Sequence, residues 1–369
     1  YKERILIDKD NLTLIGENRN NTIIDGNKES GPVINIRANN VKLTGFTIRY
    51  SCTTCYGIYI QQSTDCSIYE NNVIENNRGI YLTDCKSITL TDNIVANNSG
   101  IGIEIRNSES TVLRNNTLIG NKYNFGVWGG PLSQFIHDID TSNSVNGKPI
   151  YYWINQAKRQ IPSDAGYVGV INSTQVVVKN LSISSNGQAV LFAYSTNSTA
   201  QNLNILSNKA GISLHYSTHN MISNNNISFN EEGVHLVWSS KNIVSSNNIS
   251  YNIVDGIVIS SGGNNNIYAN KLSSNKEGMY LAFTSSNVIH ANTVEISGSI
   301  GLTHYFSSNN TLYHNNFINN VKQIDMGAEE QARWDNGTEG NHWSDYTGED
   351  LNMDGLGDTP YIIDENNRD

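Results

Sequence analysis

"GISLHYSTHNMISNNNISFN" occupies residues 211–230, and "GVHLVWSSKNIVSSNNISYN" occupies residues 233–252. Both follow one pattern, offset by 22 residues: Gly, apolar, any residue, apolar, two further residues, Ser, then an Asn-rich tail. Units of this kind start at Gly57, Gly79, Gly102, Gly126, Tyr167, Ala189, Gly211, Gly233, Gly256, Gly278 and Gly301, mostly 22 or 23 residues apart. So short a period, broken by Gly, Ser and Asn turns, is too brief for a helical repeat. It suits one coil of a parallel β-helix, with two or three short strands per coil.

Alternation within a strand then assigns directions. Ile58, Ile80, Ile103, Ile212, Val234, Ile257, Met279 and Leu302 form one expected inward column. Ile60, Leu82, Ile105, Leu214, Leu236, Ile259 and Leu281 form its partner. Asn72, Asn93, Asn116, Asn225, Asn247, Asn270, Asn292 and Asn315 fall in a third column, where Asn tolerates a left-handed bend and stacked amides bond along the ladder. Leu181 and Leu203 interrupt it. Residues 1–50 read as less regular rungs. The expected division is an all-β parallel β-helix over 1–339, with an insertion at about 127–166, and a C-terminal cap over 340–369.

Composition narrows the partners. Only 16% of the 369 residues are charged and the net charge is -10, which argues against nucleic acid, because phosphate binding needs a basic face. No apolar run is long enough to span a membrane. The chain begins at Tyr1 without a signal peptide, so it reads as a segment of an exported protein with flanking domains. Eleven Asn-x-Ser/Thr sequons permit surface glycosylation. Cys52, Cys55, Cys66 and Cys85 read as disulfides or buried thiols, with a zinc or copper site as the alternative.

Outward columns are where chemistry can sit. One holds Tyr59, Tyr81, Glu104, His235 and Tyr280, and the next holds Arg106. Tyr59, Tyr81, Glu104 and Arg106 form the best polar-aromatic cluster, a carboxylate beside a guanidinium on a flat face; the plainer reading is a surface ion pair. Tyr194, Tyr216, Trp238, Phe283 and Phe306 recur at rung spacing and make either a strip for sugar rings or a shield for the sheet edge. The interruption around 127–166 is rich in Trp, Tyr, His, Asp and Lys, and long irregular segments often carry function. Trp128 is a candidate wall residue there, and Asp138 and Asp140 are candidate acid/base groups alongside Glu104. A glycosidase wants two carboxylates facing one bond, and no clear pair stands out.

"DLNMDGLGDTPY" at 350–361 carries the sharpest local spacing. Asp350, Asn352, Asp354, the Leu356 carbonyl and Asp358 match the oxygen ligands of a Ca²⁺ loop, although Tyr361 stands where the bidentate Glu belongs.

The Asn-rich coils, "FIHDIDTSNSVNGKPIYYWINQ" at 135–156 and "GNHWSDYTGEDLNMDGLGDTPYIID" at 340–364 together resemble the NosD-like proteins. These sit in the wider class of carbohydrate-binding and sugar-hydrolysis β-helix domains, common on methanogenic archaea. The resemblance implies a right-handed parallel β-helix and an extracellular or cell-surface setting. The family name implies copper, yet four Met and eight scattered His make no copper tract. The function expected is therefore recognition of a polysaccharide, with cleavage of an acidic glycan by hydrolysis or lysis as an extension. Tyr59, Tyr81, Arg106, Trp128, His235 and Tyr280 would bind it. A non-catalytic surface-layer segment and a copper-binding accessory are the alternatives.

Overall fold

The computed structural model describes every residue except 328, 329, 352, 354 and 355. The chain forms two compact units. One comprises Tyr1–Gln156, Ile161–Asn172 and Ile183–Ala193; the other comprises Ala157–Gln160, Ser173–Ser182 and Tyr194–Asp369. Each is built of right-handed parallel β-helix coils, as the period demands.

Between Ile5 and Val145 of the first unit each coil contributes one strand to each of three sheets, paired in parallel. The first sheet includes Tyr56–Gln61, Arg78–Thr83, Ile101–Arg106 and Tyr123–Trp128. In the second unit the corresponding face is built by Ala210–His215, Glu232–Val237, Asp255–Gly263, Glu277–Ser285, Ile300–Tyr305 and Lys322–Met326. Register confirms the two inward columns: Ile58 pairs Ile80 and Ile80 pairs Ile103, while Leu214 pairs Leu236 and Leu236 pairs Ile259. All of these side chains are fully buried. Stacking like on like removes a continuous apolar stripe from water without any helix packing.

The asparagine column is a hydrogen-bond ladder. In the second unit Asn225, Asn247, Asn270, Asn292 and Asn315 each donate from Nδ2 to the Oδ1 of the next rung's Asn at 2.9 Å. That same Oδ1 also accepts the backbone N–H of the preceding Asn, and Nδ2 bonds a main-chain carbonyl, as from Asn247 to Ile222 at 3.0 Å. A buried bend therefore leaves no polar group orphaned. In the first unit the ladder runs through Asn71, Asn93, Asn116 and Asn143. Asn72 is not in it: that side chain is half-buried and its amide reaches Thr47 Oγ1 at 3.3 Å. Gly126 is likewise off its expected place. It pairs with Glu104, so Asn124 occupies the position opposite Gly102.

The interruption at about 127–166 is largely woven into the first unit. After the 3-10 turn Leu132–Phe135, Asp138–Ile139 joins the second sheet and Ser144–Val145 the third. The break in period is a hairpin. Asn146 and Gly147 both adopt positive φ, 48° and 78°, and Lys148–Ile154 returns antiparallel to Ser144–Val145. Asn-Gly is the sequence that such a two-residue turn prefers. His137 lies inside this stretch, with Nδ1 accepting from the Thr111 N–H and Nε2 against the Gln134 carbonyl. Burial pushes its imidazole down to about 4, so it serves packing as a neutral ring.

The regular strands continue past residue 339, since His342–Trp343 pairs with Asn316–Ile318. Beyond it the cap is an aromatic plug: Trp343 stacks on Phe317 at 4.7 Å and on Tyr361 at 4.3 Å. Of the calcium-loop residues, Asn352 and Asp354 lie outside the described residues. The Asp358 carboxylate accepts the Leu351 N–H, and its own N–H bonds the Glu349 carbonyl.

Candidate functional site

The first unit carries a compact polar-aromatic patch on its first sheet. Tyr59, Tyr81 and Glu104 are register partners on successive strands. Tyr56 and Arg78 precede Gly57 and Gly79 and join the patch from the side. The Tyr56 ring stacks on Tyr59 at 4.8 Å and on Tyr81 at 4.9 Å. The Arg78 guanidinium lies over both Tyr56, at 5.4 Å, and Tyr81, at 5.7 Å. Burial raises the phenols of Tyr59 and Tyr81, so both remain neutral hydrogen-bonding groups.

Glu104 is the anchor. Its carboxylate is 1% exposed and lies between Arg106, at 3.1 Å, and Arg78, at 3.5 Å. Two cations thus share one anion. Arg106 in turn sits 5.4 Å from the Trp128 ring. Trp128 can fold down because Gly126 has no side chain; a Cβ there would stand 2.3 Å from the indole. The sequence grouped Tyr59, Tyr81, Glu104 and Arg106 and placed Trp128 apart in the interruption; the structure adds Trp128 to the cluster through Arg106. Sequence reasoning missed Tyr56 and Arg78, whose signal was their shared place just before the unit's glycine.

The other candidates lie apart from this patch. Asp138 and Asp140 flank Arg114 at 2.5 and 3.2 Å, on the second sheet of the first unit. His235 and Tyr280 belong to the second unit, where His235 Nδ1 pairs with Glu232 at 2.7 Å.

The second unit also bears the aromatic column. Tyr194, Tyr216, Trp238, Phe283 and Phe306 all occupy the corner after the first strand, with φ between 46° and 53°. Tyr194 stacks on Tyr216 at 4.9 Å, Tyr216 on Trp238 at 6.2 Å, and Phe283 on Phe306 at 5.3 Å. Trp238, Phe283 and Phe306 are more than half exposed. Left-handed backbone is costly for bulky side chains. The matching corners of the first unit hold Gln62, Asp84 and Asn107, with polar side chains.

Metal donors are dispersed. Cys52 and Cys55 form a disulfide, while Cys66 and Cys85 are buried thiols. Burial pushes the Cys85 thiol up to about 11. Among the described residues no three His, Cys, Asp or Glu side chains gather as metal ligands.

Residues 5–139 match the family described as "Right handed beta helix region", and residues 142–348 match "Periplasmic copper-binding protein (NosD)". The donor set just described does not fit the copper named in that description. No curated protein matches the chain. Among solved structures, the Dettilon tailspike protein gp208 is 13% identical with a TM-score of 0.39; the match covers 87% of this chain and 60% of the tailspike. A single-residue mutant of the periplasmic alginate epimerase AlgG is 15% identical with a TM-score of 0.42, covering 81% of this chain and 76% of the epimerase. The mannuronan C-5 epimerase AlgE4 A-module of Azotobacter vinelandii is 15% identical with a TM-score of 0.32, covering 88% and 82%. These likenesses are too distant to carry function. The family rests on the sequence match, which takes in more than half of the chain: this protein is a member of the NosD family.

Proposed function

We propose that the protein recognises polysaccharide outside the cytoplasm, at the cell surface or beyond it, with sugar rings lying on its stacked aromatic side chains. One observation carries this reading. The second unit places half-buried and exposed rings at left-handed corners, where Asn would fold at less cost, and keeps successive rings parallel, at 4.9 Å for Tyr194–Tyr216 and 6.2 Å for Tyr216–Trp238. A merely protective edge has no need of strained aromatics. Sugar faces, by contrast, want flat apolar platforms of this kind.

The Tyr56–Tyr59–Tyr81 patch of the first unit is the second platform. Arg78 and Arg106 around a single carboxylate leave positive charge unbalanced, which suits a uronate. In this reading Glu104 orients the two guanidinium groups. Asp138 and Asp140, tied to Arg114, brace the second sheet. We also propose Ca²⁺ as a stabiliser of the cap, held by Asp350, Asn352, Asp354, Leu356 and Asp358.

The test is glycan binding by Trp238→Asn and by Arg106→Gln, each against uronate and neutral polysaccharides on one array. Loss of binding on the first substitution, and loss of uronate binding alone on the second, support the proposal. Binding unchanged in both variants overturns it. Ordered self-association without any glycan affinity would favour the surface-layer reading instead.

A further inference from the structure

The strand Asp255–Gly263 breaks the relief of the second unit's outer face. Register sets His235, Val258 and Tyr280 side by side in one outward column, and Val237, Ser260 and Ala282 in the next. At the corner, Ser261 takes the position that Trp238 and Phe283 hold on neighbouring rungs. Short side chains on this strand thus lie between His235 and Trp238 on one side and Tyr280 and Phe283 on the other. The result is a notch one rung wide. Its walls are two strand spacings apart, about 10 Å, with aromatic rings toward the corner.

Asp255 stands at the opposite end. It is register-paired with Glu232 and Glu277, so three carboxyl groups occupy successive rungs. Two of them are engaged: Glu232 with His235 at 2.7 Å, and Glu277 as acceptor from the Thr303 hydroxyl. Asp255 is only 8% exposed, yet among the described residues its carboxyl group has neither a hydrogen-bond nor an ion-pair partner. A buried acid without a partner is costly unless it keeps its proton or meets a ligand.

The two neighbours are also pushed apart in acidity. Burial first, then the nearby Glu277 and Glu232, raise the Asp255 carboxyl to about 7, against the opposing charges of His235 and Lys276. Burial pushes Glu232 upward too, but the hydrogen bond and charge of His235 outweigh it and leave that carboxyl below its ordinary value. One carboxyl of the pair keeps its proton near neutrality while the other is ionised, the division of roles that glycoside hydrolysis uses.

We propose that this notch is a glycoside-hydrolysing site, with Asp255 as proton donor and Glu232 as nucleophile, acting on neutral or amine-bearing sugar chains. In the first step the Asp255 proton passes to the glycosidic oxygen. The bond from that oxygen to the anomeric carbon breaks, its electron pair leaving with the departing sugar, and a Glu232 oxygen bonds the anomeric carbon. In the second step water attacks that carbon and gives a proton to the Asp255 carboxylate. The bond to Glu232 breaks, and both groups are restored. Water is the only co-reactant. Adjacent paired strands lie about 4.8 Å apart, in keeping with the short carboxyl separation of about 5–5.5 Å typical of such a double displacement. His235 positions Glu232, and Trp238 and Tyr280 flank the sugar. The carboxylates of Glu232 and Glu277 on either side of Asp255 disfavour uronates and sulfated sugars, so this site differs in preference from the arginine-lined patch of the first unit.

The proposal shares only the polysaccharide class with the preceding one, and its test separates the two. The full chain is incubated with end-labelled oligosaccharides of glucosamine, N-acetylglucosamine, glucose and mannose, with oligogalacturonate as control. Shortening of one of the first four, with the anomeric configuration retained and no unsaturated ends, is expected. Turnover should fall above about pH 7 as Asp255 ionises. Asp255→Asn and Glu232→Gln should each lower turnover at least 100-fold while the shortened glycan still binds. Tyr216→Ala should weaken binding instead. No shortening of any probe by the unsubstituted protein overturns the proposal, as does undiminished turnover in a folded Asp255→Asn variant. Binding without cleavage would leave the recognition reading standing and remove this one.

Discussion

The Glu104 carboxylate lies 3.1 Å from the Arg106 guanidinium two residues further along the same strand, and almost none of it is exposed. Arg106 itself remains partly in water, so the pair is asymmetric. Glu104→Gln removes the buried anion and leaves Arg78 and Arg106 facing each other. Both guanidinium groups keep a third or more of their side chains in water, so the cost should be about 1–2 kcal/mol, the loss of charge-assisted hydrogen bonds, read from urea unfolding. Arg106→Gln should cost less, because Arg78 still neutralises the carboxylate.

The asparagine ladder makes a sharper stability prediction. Asn247→Ala strips an acceptor from both the Asn225 N–H and the Asn225 amide, and a donor from the Ile222 carbonyl. Each orphaned group costs about 1–3 kcal/mol, so a total loss of several kcal/mol is expected in equilibrium unfolding. Asn248→Ala, whose exposed amide among the described residues bonds only the Asn226 side chain, should change stability by less than about 0.5 kcal/mol.

Asp255 gives the fold an inverted pH response. The folded protein holds a proton that an ordinary aspartate, with a pKa near about 4, has already lost. Stability from this residue is therefore complete below about pH 4, declines as pH rises toward 7, and levels off above that. His137 and His215, lowered by burial to about 4 and about 3, act in the opposite sense, losing stability as pH falls below about 6.5. The melting-temperature difference between Asp255→Asn and the unsubstituted protein isolates the first effect. That difference should grow from about pH 4 to about pH 7.

The cysteines should separate by reactivity. Reducing Cys52–Cys55 opens a loop of only four residues and should cost no more than about 2 kcal/mol on the loop-entropy scale. Native protein should take up no alkylating reagent before reduction and two equivalents after it, because Cys66 and Cys85 are buried and burial raises both thiols. Mass spectrometry of iodoacetamide-treated protein checks both counts.

Side-chain alternation was enough to place Ile58, Leu214 and their columns, because inward packing repeats at the same residue in every coil. The frame slipped where two candidates stood side by side. Asn71 and Asn72 are adjacent, and only the hydrogen bonds distinguish the ladder member from its outward neighbour. The hairpin at Asn146–Gly147 was legible as a dipeptide, but the surrounding break in period pointed to an insertion. The acidic column was missed for a related reason. Glu232, Asp255 and Glu277 each stand just before the glycine that opens the unit, outside the stretch in which faces were assigned. Their recurrence at that one position was the available signal. What no sequence pattern gives is the state of each group: that Glu232 and Glu277 are engaged while Asp255 is not depends on how far His235 and Thr303 reach.

The ladder has a direction, since every rung borrows its acceptor from the rung that follows. At Asn341 no further Asn follows; the Asp369 carboxylate takes the Asn341 N–H and amide, and the Trp343 indole N–H as well. A single anion thus terminates what is otherwise an open template. Without it, the exposed rung would offer the same unmet donors that the interior satisfies with another coil, an invitation to end-to-end growth into fibres.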